Sequence, residues 1–573
     1  MPSPLITDTQ RGAVGCPSGT EPAAAKTGTH PRLIAVVVSS SLLYLAGLFY
    51  YAVTRPLDGD EGFYTTAARL VWEGKTPYKD FFFQQAPLAP YLYSWIWAVH
   101  PRSLVAMRML SAACGGLEVL LLGLGLISAK RLPAKVALAA FAAVLLNPYS
   151  VSWNVVVKTF AVANLLMTIA TICLYIALRS GRLGWFFAGG VALGACVSTR
   201  SLYGLLIPAV FLGILYQEFR ASRWSYPRSL TFLAGTLAGG LPMIFSFVRY
   251  PHAFIFNNLT YHHFDVGYMI SANGTITEGY QSAGHVLLVY FAMIGIRLLI
   301  LHPYFTTQLI LAITGILSLH KQRWQPEGSN ASPYTESDYL YFQLALLMLV
   351  VYLVTVLLPF PPYDQHFVSP LVPLTIPFVA EGLRVTFRAG RKRVIALALA
   401  APILFAVEIG WETARNSGHP VWQLSCYREV TRVVEANSGP DEVVMSFWPG
   451  FVFESGRRYF PGLEDHFVYR VMNKISPEER ARYHVISKDQ VMRAITGREI
   501  NVLVVHPWIL EYYHDLSPRE LQEFHEAVDA NYSLISNIRD IEIYRRRPPT
   551  AETRSRDERF WAAVEERSRS SRQ

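Results

Sequence analysis

The chain has 573 residues, of which 52% are hydrophobic and 16% charged. Soluble proteins carry about 25% charged residues, so this balance excludes an ordinary soluble enzyme and points to a membrane-embedded protein. The formal net charge of +9 does not indicate nucleic-acid binding, because the basic residues are scattered through short loops between apolar runs, a pattern that reports membrane topology.

Residues 1–30 are rich in Ala, Gly, Pro, Ser and Thr and are expected to form a disordered tail. They lack the short apolar core and cleavage site of a signal peptide, so the run at 33–53 is expected to be a retained anchor. Further apolar runs of spanning length follow near 103–128, 134–150, 155–178, 184–199, 201–217, 228–248, 338–358, 367–384 and 394–411. In 285–320, His302-Pro303 divides the apolar stretch, and charge parity decides how to count it. A single span at 304–320 places Lys321, Arg323, Arg384, Arg388, Arg391, Lys392 and Arg393 on the cytoplasmic side. Lys130, Arg131, Lys135, Arg179, Arg182, Arg220, Arg223 and Arg228 then lie on that side too, as the positive-inside rule requires. The expectation is an α-helical polytopic membrane protein of about eleven spans with a cytoplasmic N-terminus and 285–302 as an interfacial or re-entrant helix. The loop 54–102, the loop 249–284, the segment 359–366 and everything after 411 then share the outer face.

The loop that follows the first run begins Arg55-Pro-Leu-Asp-Gly-Asp-Glu-Gly-Phe-Tyr64. Three carboxylates, Asp58, Asp60 and Glu61, thus sit against the end of a membrane helix, where charge is costly. Local sequence leaves two readings open. One is chemistry on a lipid-linked substrate; the other is a solvated loop in which Asp60 caps a helix over 61–73 and Glu61 lies at its positive end. Gly74 is a natural stop for that helix, and Pro77-Tyr78-Lys79-Asp80 turns the chain into Phe81-Phe82-Phe83-Gln84-Gln85. Tyr91, Tyr93, Trp95 and Trp97 have the aromatic density of a headgroup-zone anchor. A helix lying along the membrane there would hold Asp60 and Asp80 above a lipid phosphate.

After Trp411 the composition becomes that of an extracytoplasmic α/β domain, 412–546, followed by a charged tail, 547–573. Helices are expected at 421–438, 487–496 and 516–530. Strands are expected at Val443–Phe447 and Asn501–Val505, with a closing pair at Tyr532–Ile535 and Ile541–Tyr544. This domain shows no nucleotide loop, catalytic triad or metal motif. Gly456-Arg457-Arg458 reads as a solvated turn rather than an anion contact. The five cysteines have no paired spacing that suggests zinc or disulfides.

The ordered series Asp60-Glu61, Tyr64, Gly74, Pro77-Tyr78, Asp80 and Pro87-Leu88 resembles the first outer loop of class C (GT-C) glycosyltransferases. The similarity is greatest to the dolichyl-phosphate-mannose–protein mannosyltransferase superfamily and its bacterial relatives that add aminoarabinose to lipid A. Arg108 in Met107-Arg-Met-Leu110, and Tyr363-Asp-Gln-His-Phe-Val-Ser-Pro370 with Pro373, agree with it, so the resemblance covers roughly 33–411.

The resemblance implies a GT-C-like membrane domain, 31–411. It also implies inverting transfer of a sugar from a polyprenyl-phosphate donor to a hydroxyl of a glycan, lipid or protein acceptor at the extracytoplasmic face. Asp60 matches the family's catalytic carboxylate and Glu61 its neighbour. A positioned carboxylate is able to take the proton of a hydroxyl nucleophile, and the leaving lipid phosphate requires cationic donors. The substrate-binding candidates are Asp58, Tyr64, Asp80, Gln85, Arg108, Lys158, Arg200, His262, Tyr363 and His366. His262 and His366 are weighed against ordinary hydrogen-bonding surface roles.

One departure stands out. Relatives often place Lys or His just before the loop proline, whereas here the residues are Gln84-Gln85-Ala86-Pro87. The phosphate cation must come from elsewhere, and Lys158, Arg200 and then Arg108 are the outer-side candidates, each weighed against mere snorkelling to the headgroups. Asp58, Asp60 and Glu61 are hard ligands suited to a divalent cation, but no second acidic motif lies at a recognisable spacing, so no obligatory metal is expected. A transporter or flippase of lipid-linked sugars and a non-catalytic scaffold are the rival functions.

Overall fold

The computed structural model describes residues 31–129, 132–220, 226–272, 295, 302–324, 334–356, 364–367, 371–417, 420–506 and 517–548. The expected N-terminal tail, nearly all of the C-terminal tail, most of 285–302, and Tyr363 lie outside the described residues.

Helices lie in all eleven expected ranges. Six are long and apolar enough to cross a membrane unaided: Pro31–Thr54 (α1), Leu104–Ser128, Phe160–Ser180, Ser201–Arg220, Glu336–Val356 and Arg391–Trp411. The pair Pro227–Gly239 and Leu241–Arg249, bent by 64° at its break, makes a seventh if it crosses as one. The protein is therefore a multi-pass membrane protein, although helix length and composition do not fix the count at eleven. Close contacts hold this part together, as is usual where lipid removes the hydrophobic drive for helices to associate. A Cβ on Gly190 would lie 2.2 Å from Phe232 O, and one on Gly239 2.0 Å from Val191 O, so the backbones of Leu183–Thr199 and Pro227–Gly239 touch directly.

Outside the membrane helices, the loop after α1 forms α2 (Glu61–Trp72) and α3 (Leu88–Val99), leading into α4 (Leu104–Ser128). Gly74, at φ +86°, ends the turn after α2, as the sequence predicts. Asp60 occupies the N-cap position, but its side chain makes no capping bond; a stronger partner, described below, takes it.

The C-terminal unit is a five-stranded sheet of β1 (Val443–Ser446), β2 (Arg458–Tyr459), β3 (Val502–Val505), β4 (Tyr532–Ile538) and β5 (Ile541–Arg546), in the order β2-β1-β3-β5-β4. β1 runs parallel to β2 and β3, and β5 antiparallel to β3 and β4. All four residues of β3 are buried, which explains its unbroken apolar run. Ser487 and Ser517 each close a capping box at the start of a helix. Gly456-Arg457-Arg458 is not a solvated turn: Arg458 opens β2, and the buried Arg457 guanidinium donates to Ser438 Oγ (3.0 Å) and Glu435 O (2.9 Å).

The loop and this unit share one apolar core, running from Leu57 and Phe63 through Phe81–Phe83 to Trp448, Leu503 and Ile543. Leu57 N donates to Trp422 O (2.6 Å), and Trp448 Nε1 to Gly59 O (2.7 Å). A side chain at position 62 would meet the Trp448 indole at 2.8 Å, so glycine there lets α2 press onto the C-terminal unit. Of the four aromatics expected among headgroups, Tyr93 is fully buried in protein and Trp97 packs 5.5 Å from Phe453, whereas Trp95 is 75% exposed.

Candidate functional site at the junction of membrane helices and outer loops

The acidic stretch is organised by two cations that arrive from distant parts of the chain. Arg108, on α4, is completely buried and forms a two-pronged pair with Glu61: Nε to Oε1 at 2.8 Å and Nη2 to Oε2 at 2.5 Å. Its three other N–H groups go to the carbonyls of Ala52, Arg55 and Pro56. A guanidinium has five N–H donors, and all five are used. Arg108 therefore has none to offer a phosphate, which removes it from the substrate-binding candidates. Glu61 Oε1 also accepts from Val157 N (3.1 Å), and Oε2 from Asp58 N (3.0 Å). The pair is a strut that ties the end of α1, the acidic turn and the segment 155–158 to one another.

That segment carries the second cation. Lys158 lies in the turn between the helices Pro148–Trp153 and Phe160–Ser180, and is 4% exposed. Its Nζ is 2.7 Å from Asp58 Oδ1 and 2.8 Å from Asp60 Oδ2, with Gln365 Oε1 at 3.5 Å and the Trp153 ring at 4.7 Å. Asp60 N donates to Asp58 Oδ1 (3.0 Å), so the two acids are held side by side with a single ammonium between them. Burial works against ionisation of both. Lys158 and Arg55 nevertheless hold Asp58 below the usual carboxylate range. Burial and the adjacent charge of Asp58 leave Asp60 raised despite Lys158. Two carboxylates in one site with opposite shifts divide the labour: Asp58 stays ionised as counter-charge, and Asp60 is the more basic group.

Arg200 extends this cationic side. Its Nη1 donates to Thr159 Oγ1 (2.8 Å), its guanidinium lies 4.2 Å from the Phe160 ring, and its buried Nε has no hydrogen-bond partner among the described residues. Tyr64 reaches the same Thr159 hydroxyl from α2. His366 is buried 6.2 Å from Phe160, ring to ring, and burial, together with Arg200 and Lys158, keeps it neutral, well below the usual histidine pKa. His262 pairs with Gln84 O at 3.0 Å and is likewise lowered, chiefly by burial.

The remaining candidates do other things. Asp80 folds back on its own turn, accepting from Thr76 N (2.8 Å), and Gln85 offers its carbonyl to Tyr78 Oη (2.6 Å). Among the described residues, no group of three or more His, Cys, Asp or Glu side chains is placed to hold a metal ion.

Several residues at the site were not foreseen. Arg55 stacks 5.4 Å from Trp153 and shares the control of Asp58. From the C-terminal unit come Asp465, His466 and Arg470, with Arg470 Nη1 paired to Asp265 at 2.5 Å. Only the presence of an arginine among aromatics at 467–470 hinted at them.

Residues 84–245 match the family model described as dolichyl-phosphate-mannose-protein mannosyltransferase. The fold is similar to that of ArnT from Cupriavidus metallidurans in the apo state, at a TM-score of 0.55 and 13% identity, over 91% of this chain and 98% of that one. The chain has a GT-C-like fold. The same ArnT bound to undecaprenyl phosphate matches this chain at a TM-score of 0.54, with the same identity and coverage. An oligosaccharyltransferase from Archaeoglobus fulgidus, 12% identical, gives 0.47 over 85% of this chain and 70% of that one. Among curated proteins, none matches by sequence.

Proposed function

We propose that this GT-C protein transfers a monosaccharide from a polyprenyl-phosphate donor to a hydroxyl acceptor at the outer face of the membrane, with about eleven spans and a cytoplasmic N-terminus. The observation that carries the reading is Lys158 Nζ, held 2.7 and 2.8 Å from Asp58 and Asp60, with Arg200 bound to the neighbouring Thr159. The cation missing before the loop proline is supplied by the turn after Trp153. ArnT, the structural neighbour, has been seen with undecaprenyl phosphate, which supports a carrier of that kind here.

In this mechanism Arg200, through its unpaired Nε, holds the donor phosphate beside the membrane, and Lys158 turns from its long contact with Gln365 to join it. Asp60 removes the acceptor hydroxyl proton as its oxygen bonds to the anomeric carbon. The bond from that carbon to the phosphate oxygen breaks in the same displacement, and the departing lipid phosphate keeps the electron pair, its charge met by the two cations. Configuration at the anomeric carbon inverts. Glu61 is a positioning residue, since its oxygens are engaged by Arg108 and two backbone amides.

The reading is tested with purified protein supplied with undecaprenyl-phosphate sugars and acceptor membranes. Release of undecaprenyl phosphate coupled to acceptor glycosylation is the expected result, and movement of intact donor without cleavage would instead support the flippase. Two further outcomes follow. Asp58→Asn removes the negative charge that raises Asp60, so the acid limb of the kcat/KM profile should move to lower pH. A limb that stays or moves up contradicts the division of roles. The Lys158 ammonium also neutralises the two acids where a divalent cation would sit, so dialysis against EDTA should leave turnover unchanged. A loss restored by added divalent cation would overturn metal independence.

A further inference from the structure

The C-terminal unit around 465–470 packs against the helix Tyr261–Ala272 and the loop at Gln84. Asp465 is 2% exposed. Its Oδ1 accepts from Phe467 N (3.0 Å) and Gln84 Nε2 (3.4 Å), while its buried Oδ2 has no hydrogen-bond partner among the described residues. Beside it, His466 Nδ1 is also buried without a hydrogen-bond partner. Arg470, 4.4 Å from the Phe467 ring and paired with Asp265, closes the flank.

Leaving a buried polar atom unpaired costs roughly 1–3 kcal/mol, so two in adjacent residues, with no partner among the described residues, suit a polar ligand. The two residues face the acidic loop and α2: Gln84 Nε2 reaches Asp465 Oδ1, and the His466 ring lies 6.2 Å from that of Phe63, three residues after Asp60. Burial, with the charge of Asp60 adding to it, pushes the Asp465 carboxyl up to about 8, so at neutral pH it is a hydrogen-bond donor. The other charged or titratable groups around it are Arg470, His466 and Tyr261.

We propose that Asp465, with His466 beside it, is a specificity-determining residue that hydrogen-bonds a ring hydroxyl of the sugar carried by the lipid phosphate. The proposal rests on the transferase reading above and deepens it: the membrane part holds the phosphate, and the C-terminal unit reads the sugar. A sugar hydroxyl both donates and accepts, so neighbouring hydroxyls satisfy the two orphan atoms. An acyl chain would leave both orphan atoms unpaired.

The test compares binding of undecaprenyl phosphate with binding of undecaprenyl-phosphate mannose, glucose and arabinose to the full-length protein in detergent. Wild type should favour at least one sugar-loaded carrier over the bare carrier by about tenfold, the worth of one good hydrogen bond. Asp465→Leu should bring that ratio to about one without changing the affinity for bare carrier. Asp465→Asn keeps both the Oδ1 acceptor and a polar group in place of Oδ2, so it should retain the preference. A preference that survives in folded Asp465→Leu, or one that is lost in folded Asp465→Asn, overturns the proposal. So does a wild type that binds the bare carrier but ignores the sugar. Failure to bind any carrier, bare or loaded, overturns the transferase reading itself.

Discussion

Asp60→Asn is expected to lower turnover by about 10²–10⁴-fold, the usual contribution of a positioned general base, while the melting temperature and donor affinity stay close to wild type. Folding should tolerate the change because the Asp60 side chain caps nothing and is partly exposed, with Lys158 as its ionic partner. The amide retains an oxygen for Lys158 but has no basic site for a hydroxyl proton. Asp58→Asn, which also contacts Lys158, is the control. It should keep far more activity than Asp60→Asn, because Asp58 serves as counter-charge. The measurement is the initial rate of sugar release from an undecaprenyl-phosphate donor in the presence of acceptor membranes. Wild-type turnover in Asp60→Asn would remove Asp60 from the chemistry.

Glu61→Ala is expected to act through stability instead. It strands a fully buried Arg108 guanidinium without its counter-charge, and breaking a buried ion pair by removing one partner costs about 3–5 kcal/mol. It also frees Val157 N and Asp58 N, which lie next to Lys158 and within the acidic turn. Turnover should therefore fall together with the unfolding temperature, read by thermal denaturation in detergent. Glu61→Gln keeps an acceptor for Arg108 and should recover part of both. If Glu61→Ala instead melts like wild type while turnover disappears, Glu61 belongs to the chemistry and not to the strut.

These expectations show which features the sequence makes legible. Elements set by local chemistry could be read directly: α2 with its Gly74 stop, the Ser487 and Ser517 helix starts, the β3 run and the β4–β5 hairpin all rest on patterns spanning a few residues. Lys158 and Arg200 could be singled out because a cation at the outer end of a membrane span is costly without a role. The partnerships could not be read. Glu61 meets Arg108 across 47 positions, and Gln84 meets Asp465 across 381. Nothing in either neighbourhood signals the other. The same blindness explains Asp60, whose sequence position suits a cap but whose side chain is claimed by Lys158. It also explains Tyr93 and Trp97: an aromatic segment beside a membrane span reads as a headgroup anchor, whereas Tyr93 Oη is hydrogen-bonded to Ser111 and to Lys158 O, and Trp97 packs on Phe453, more than three hundred residues later.

The central claim is that a sugar is transferred and that Asp60 does the transferring step. Mass spectrometry of membrane glycolipids, polysaccharides and glycoproteins addresses it most directly, in cells lacking the protein and in the same cells given wild type or Asp60→Asn at equal abundance. The account predicts one species heavier by a single monosaccharide with wild type, and its absence both without the protein and with Asp60→Asn. A glycome identical in all three, or a heavier species restored by Asp60→Asn, would contradict it.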